Sequence, residues 1–333
     1  MRWGLIGAST IAEQHMIGAI RATGGEVAAV VSSTAARARD YAAQHAIAAA
    51  GDSLSLILDD PSIGAVYISS TNEKHRDQAL GAIAAGKHVI CEKPLAMTVA
   101  EAAEMVNAAQ VAGVTFATNH HLRCSGSHRT IRDLIRAGRI GRILSLRIFH
   151  AVHLPPHLQG WRINDPAAGG GVIPDITVHD ADVARFLLGE DPHSVVAQMA
   201  ASGMGQGVED SAMSVWTMPS GAMVFSHESF THPFAGSGLE VHGTEGSIFA
   251  RGVMTQQPVG EIELVTAQGR EAVPFPPHNL YVQGVTDFLA AIAGQGTPAA
   301  TGPDGVASLA VALAVREAAR TGTRQHVTYG RAA

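Results

Sequence analysis

Only two cysteines, Cys91 and Cys124, occur in 333 residues, and Cys91 falls in an apolar run that reads as a core strand. That argues against a disulfide framework and makes a reducing compartment, the cytoplasm, the expected location. Charge is also scarce: 16% of residues are charged, the net charge is -6, and no long lysine or arginine run is present. Nucleic acid is not the expected partner of such a surface; a small molecule is. No uninterrupted apolar run reaches the roughly 18 residues of a membrane helix. A strand beginning almost at Met1 leaves no room for a signal peptide. The hydrophobic share of 46%, rich in alanine and glycine, excludes a disordered or fibrous chain. The length predicts about two domains.

Two further absences are local. Arg2–Ile6 reads as a strand running into Gly7-Ala8-Ser9-Thr10-Ile11-Ala12 and then a helical pattern. Such a strand, turn and helix bring backbone N–H groups up to a pyrophosphate. Ser9 stands where the second glycine of G-x-G-x-x-G belongs, so the turn alone fits a dinucleotide site and an ordinary glycine turn about equally well. After the second strand, Val27–Val31, no acid occurs up to Arg39, although an NAD site places a carboxylate there for the ribose 2'-hydroxyl. Ser32, Ser33 and Arg37 stand there instead, donors suited to a 2'-phosphate, and NADP(H) is the expected cofactor. The competing reading makes the serines helix caps and the arginine a solvated one.

Strands and helices go on alternating through Ala65–Ile68, the polar Ser69-to-His75 stretch and Val89–Cys91. Thr98 and Glu101 form a capping-box pattern before a helix to Ala112, and Thr115–Thr118 is the last strand. This is the α/β pattern of a doubly wound sheet. Val89-Ile90-Cys91 runs directly into Glu92-Lys93-Pro94, which puts a lysine at the carboxyl end of a buried strand, where open α/β sheets bind ligands. Beyond Asn119-His120-His121 the pattern changes. A helix over 127–137, a strand Ile143–Phe149, a loop carrying Pro155, Pro156, Trp161 and Arg162, and Gly169-Gly170-Gly171 lead into a helix ending at Leu188. Period-two runs from about Ser194 to Val265 predict a mainly antiparallel sheet, closed by helices near 279–293 and 304–320. Asp175 and His179, four apart at a helix start, can share a face, with histidine exchanging protons near neutral pH and the carboxylate orienting it. His150, His153 and His157 lack the acid or cysteine that completes a zinc spacing, so no metal is expected.

The Gly7-to-Ala12 turn, Cys91-Glu92-Lys93-Pro94-Leu95 and the Gly169-to-His179 segment together resemble the Gfo/Idh/MocA oxidoreductase family, over essentially the whole chain. The strings at 119–123, 155–162 and 242–246 are similar to a branch of it that reduces a keto sugar. The resemblance implies an N-terminal Rossmann dinucleotide-binding domain over 1–120 and a C-terminal α+β substrate domain with a large, mainly antiparallel open sheet over 121–333. It implies NADPH-dependent reduction of a sugar ketone, with another sugar dehydrogenation or a non-catalytic sugar sensor as alternatives. Ala8, Ser9, Thr10 and Ile11 would hold the pyrophosphate, and Ser32, Ser33 and Arg37 the 2'-phosphate. Ser70, Thr71, Asn72, Glu73, Lys74, His75, Glu92, Lys93 and Asn119 would line the remaining cofactor and substrate contacts. Trp161 and Arg162 are implied at the sugar and the cofactor, with Tyr281 nearby. Lys93 would polarise the carbonyl and His179 act as general acid, either of them being able to deliver the proton, while Asp175 fixes substrate hydroxyls or the histidine. A cis bond is implied at Lys93-Pro94. Family members often pair through the open face of the C-terminal sheet. Because Ser226 and Glu228 lie on one face of Ala222–Phe230, monomer and homo-oligomer both stay open.

Overall fold

The computed structural model describes residues 1–330. Residues 1–120 and 281–306 form one compact unit, and residues 121–280 with 307–330 form another.

In the first unit six parallel strands lie side by side: β1 (Arg2–Ile6), β2 (Glu26–Val31), β3 (Ala49–Gly51), β4 (Ala65–Ile68), β5 (His88–Cys91) and β6 (Phe116–Thr118). Their order, β3-β2-β1-β4-β5-β6, reverses direction of growth at β1, and that is where doubly wound sheets bind dinucleotides. β1, β4 and β5 are almost wholly buried, which is why they read as continuous apolar runs and not as alternation. Helices α1 (Ile17–Ala22), α2 (Ala35–His45), α3 (Ser55–Leu58), α4 (His75–Ala84) and α5 (Val99–Ala112) connect them. α5 opens on the expected capping box: Thr98 Oγ1 accepts the Glu101 N–H, and Glu101 Oε2 accepts the Thr98 N–H. Trp3 on β1 packs its ring 5.6 Å from that of Phe288.

The second unit holds a nine-stranded sheet in the order β14-β13-β12-β11-β7-β10-β9-β8-β15. The strands are β7 (Ile143–Ala151), β8 (Ser194–Ala200), β9 (Ser211–Thr217), β10 (Met223–Ser229), β11 (Ser237–Gly243), β12 (Gly246–Arg251), β13 (Glu261–Thr266), β14 (Gly269–Ala272) and β15 (Gln325–His326). Every neighbouring pair is antiparallel except β7 and β10. Leu146, Ile148, Trp216, Val224, Leu239 and Val241 form a core with Val178, Ala181, Ala184 and Leu187 of α8 (Val178–Leu188). The opposite face leaves Met213, Val215 and Met223 exposed.

Three sequence readings change. The stretch at 155–162, read as a loop, is helix α7 (Pro156–Asn164), interrupted at Gly160 with φ 35°. Pro156 stands in its first turn, where a fixed φ and a missing N–H do no harm. The helix carrying Asp175 begins as a π-helical turn, Ile173–Thr177, before α8. Ser226 and Glu228, weighed above as a polar outer face, are fully buried on the helix-covered side. Among the described residues no helix is long and apolar enough to cross a membrane.

Candidate active site

Gly7 leaves β1 at φ +115°, and a Cβ there would stand 2.8 Å from the Ser69–Ser70 backbone. Only glycine allows both the dihedral and the approach. Ser9 fits in place of the second glycine because its hydroxyl is turned to local partners, accepting the Ala12 N–H at 3.2 Å and donating to Ser69 Oγ at 2.7 Å. The helix beyond Ser9 starts at once, with its first N–H groups facing the turn formed by Ala8, Ser9, Thr10 and Ile11. Tyr41 donates to the Ser9 carbonyl and Arg37 Nη2 to the Ala8 carbonyl, at 2.9 and 3.0 Å.

The cap of α2 is Thr34, whose Oγ1 accepts the Arg37 N–H, so neither Ser32 nor Ser33 serves as the cap. Ser33 and Arg37 are exposed and Ser32 partly so. The hydroxyls and the guanidinium thus sit at the exit of β2, with the nearest helical acid, Asp40, beyond the first turn of α2.

At the end of β5, Glu92 Oε1 accepts from Tyr67 Oη and Asn119 Nδ2, both at 2.5 Å. Burial pushes the Glu92 carboxyl up, and the Tyr67 and Asn119 hydrogen bonds and the Lys93 charge pull it back. Burial and the adjacent Glu92 push the Tyr67 phenol well above its ordinary value. The Lys93-Pro94 bond is cis. His75 has no exposed surface. Its Nδ1 lies 2.9 Å from the Pro94 carbonyl and its Nε2 3.1 Å from the Ser70 carbonyl, so it ties the β4 and β5 exits together. His75, grouped above with the cofactor contacts, therefore shapes the loops from within the core, and burial lowers its pKa. Asn72 is buried beside it, while Thr71 bonds Glu73, Ser70 bonds Gln78 and Lys74 pairs with Glu73. Tyr281 is likewise almost fully buried, its ring stacked 4.5 Å from that of His15.

In the second unit the triple glycine has a packing reason. Gly170 and Gly171 N–H groups bond the Asp165 and Arg162 carbonyls, and a Cβ on Gly170 would stand 2.6 Å from the Trp161 carbonyl. This close approach brings α7 against the π-helical turn. Arg162 Nε reaches Asp175 Oδ1 at 3.4 Å, and its guanidinium lies 4.7 Å from the Trp161 ring centre. A planar cation, an indole and a carboxylate arranged this way suit a polyhydroxylated ring. Glu209 accepts the Ile173 N–H at the start of the same turn. His179 is 7% exposed, with His121 edge-on at 4.9 Å and His150 at 6.4 Å between ring centres.

Behind His179 lies a buried polar group. Parallel register sets Glu228 of β10 beside His150 of β7, and α8 lays Asp180 against both. His150 Nδ1 is 2.8 Å from Asp180 Oδ1, and Ser226 Oγ is 2.5 Å from Glu228 Oε1. Burial, then the Asp180 charge, push the Glu228 carboxyl well above the usual carboxylate range. The folded chain accordingly holds a proton that the unfolded chain releases, and stability falls as pH rises from the free-glutamate range through the folded value. Glu228→Gln, which mimics the protonated acid, is expected to remove that decline. Its melting temperature relative to the parent should rise steadily with pH, and a difference that stays flat across the range would show Glu228 ionised in the fold.

Tyr67, Glu209 and Asp180 escaped the sequence reading, which weighed His150 only as a metal ligand and Glu228 only for the face of its strand. Only His150 had a visible signal: the inward period of Leu146 and Ile148 continues to it.

Residues 1–120 match the model of the oxidoreductase family, NAD-binding Rossmann fold, and residues 128–249 that of the GFO/IDH/MocA C-terminal domain. A 1,5-anhydro-D-fructose reductase of Ensifer adhaerens is 55% identical over 330 residues, 99% of each chain. A D-xylose 1-dehydrogenase (NADP(+)) of Haloferax volcanii is 30% identical, covering 97% of this chain and 98% of the relative. The solved aldose-aldose oxidoreductase from Caulobacter crescentus, complexed with glycerol, superposes with a TM-score of 0.89 at 25% identity, over 98% of this chain and 99% of that one.

Proposed function

Because the chain belongs to the GFO/IDH/MocA family and is an NAD(P)-dependent oxidoreductase, we propose that it reduces the C2 ketone of 1,5-anhydro-D-fructose to 1,5-anhydro-D-mannitol with NADPH. The identity of 55% over 99% of both chains carries the substrate. The cofactor rests on Ser32, Ser33 and Arg37 at the β2 exit, where an NAD site has a carboxylate.

The residues fit the cofactor: Gly7, at φ +115°, lets the turn after β1 close against the Ser69–Ser70 backbone, and the helix after Ser9 offers N–H groups to a pyrophosphate. Bound NADPH supplies the hydride. The Lys93 ammonium donates to the ketone oxygen as negative charge develops there. His179 gives its proton to that oxygen, completing the alcohol. Arg162 and Asp175 hold ring hydroxyls, and Trp161 offers an apolar face.

The test follows the absorbance of the reduced nicotinamide with purified protein, anhydrofructose, and NADPH or NADH. Turnover is expected with both partners present and a clear preference for NADPH. Turnover only with other keto sugars would remove the substrate and keep the reaction class. Cofactor binding without turnover on any carbonyl would make the protein a sensor.

A further inference from the structure

His150 and Asp180 have no part in the mechanism above, yet they are placed as a working pair. Asp180 has no exposed surface, and its Oδ1 lies 2.8 Å from His150 Nδ1. That bond fixes the ring orientation and leaves Nε2 to act, as a carboxylate does wherever it orients an imidazole. The ring so fixed lies 6.4 Å, centre to centre, from His179, within the span of one bridging water. Taking a charge pair out of water among apolar neighbours such as Ile148 and Val224 gains little stability over a packed apolar pair, so stability does not account for it.

We infer that His150, anchored by Asp180, is a positioning residue that returns protons to His179. The idea rests on the reading of His179 as general acid. His179 forms the product O–H bond by giving up its N–H proton and is left neutral. Protonated His150 then passes its Nε2 proton to His179, directly or through one water, keeping its Nδ1 proton on Asp180, and regains a proton from solvent. No oxidant or reductant is involved and the proton count closes.

The groups facing the pair agree with this traffic. From β10, Ser226 Oγ lies 3.3 Å from Asp180 Oδ2, and the Glu228 carboxyl is held well above the usual carboxylate range by burial and then by the Asp180 charge, while Asp180 Oδ1 lies against His150 Nδ1. His128 from α6 (Gly126–Arg136) faces His150 with its pKa pushed down to about 3 by burial and by His150, so it remains neutral and does not compete. His227 of β10 also senses Asp180 and is lowered by burial. His121 flanks His179 edge-on.

The test uses the full chain with His150→Asn, NADPH and the keto sugar. The first turnover is followed by rapid mixing, and steady-state turnover is measured at low and high imidazole buffer. The expected result is an unchanged first turnover and a kcat reduced about tenfold or more in dilute buffer, restored as imidazole rises. Loss of both phases together, or a kcat that ignores buffer concentration, overturns the relay, because a merely structural role would not respond to an external proton donor. His150→Gln carries the same test if the asparagine variant fails to fold, as judged by circular dichroism. His179→Asn separates the two readings: it should lose the first turnover itself, and parent-like turnover in it would overturn the general-acid assignment independently.

Discussion

Lys93→Ala is expected to lower kcat by about 10²–10³-fold, the usual cost of deleting one donor that meets charge developing in the transition state. The KM for NADPH should stay near the parent value. β5 is almost wholly buried, and Glu92, which precedes Lys93 at its end, is held by Tyr67 and Asn119. A cation on a short, fixed segment donates in one direction. Arginine should not restore the rate, because a planar fork replaces a compact ammonium. Steady-state kinetics on purified variants decide the matter. If kcat survives and only the KM for the sugar rises, Lys93 contributes uniform binding and the polarising role is lost.

Arg37→Ala should raise the KM for NADPH by about 10- to 100-fold while leaving that for NADH nearly unchanged. Hydrogen bonds to a charged group are worth about 1.5–3 kcal/mol, and about 1.4 kcal/mol is a factor of ten. Arg37 is exposed, so the NADPH preference should weaken at high salt. Its bond to the Ala8 carbonyl makes the alternative concrete. If both cofactors lose affinity equally, Arg37 merely shapes the pyrophosphate turn. Introducing the missing acid with Ser33→Asp should move selectivity toward NADH, since a carboxylate repels a phosphate and accepts from a 2'-hydroxyl.

Much of the fold was legible because it depends on near neighbours. The strand, glycine turn and helix at Arg2 to Ile17, the Thr98 cap and the Lys93 strand end all follow from periodicity and from the dihedrals of glycine and proline. The failures have physical reasons too. Trp161 and Arg162 sit on a helix that two prolines and a central glycine disguise as a loop. The faces of Ser226 and Glu228 were misjudged because period two assigns polar residues outward, whereas β10 turns them inward to Asp180. The serines at 32 and 33 resembled caps until Thr34 proved to bind the Arg37 N–H.

The amino-acid order by itself determined the succession of an α/β sheet and a mainly antiparallel one, and the chemistry on offer: a lysine at a strand end, a histidine near a helix start, and donors without an acid after β2. Each is set within a few residues, where sterics and local hydrogen bonds act alone. Only the tertiary structure decided which groups steady them. Tyr67 meets Glu92 across 25 positions, Arg162 meets Asp175 across 13, and His150 meets Asp180 across 30. Such pairings depend on how strands register and which helix face is covered, and burial then sets the protonation of groups such as Glu228 that no local pattern reports.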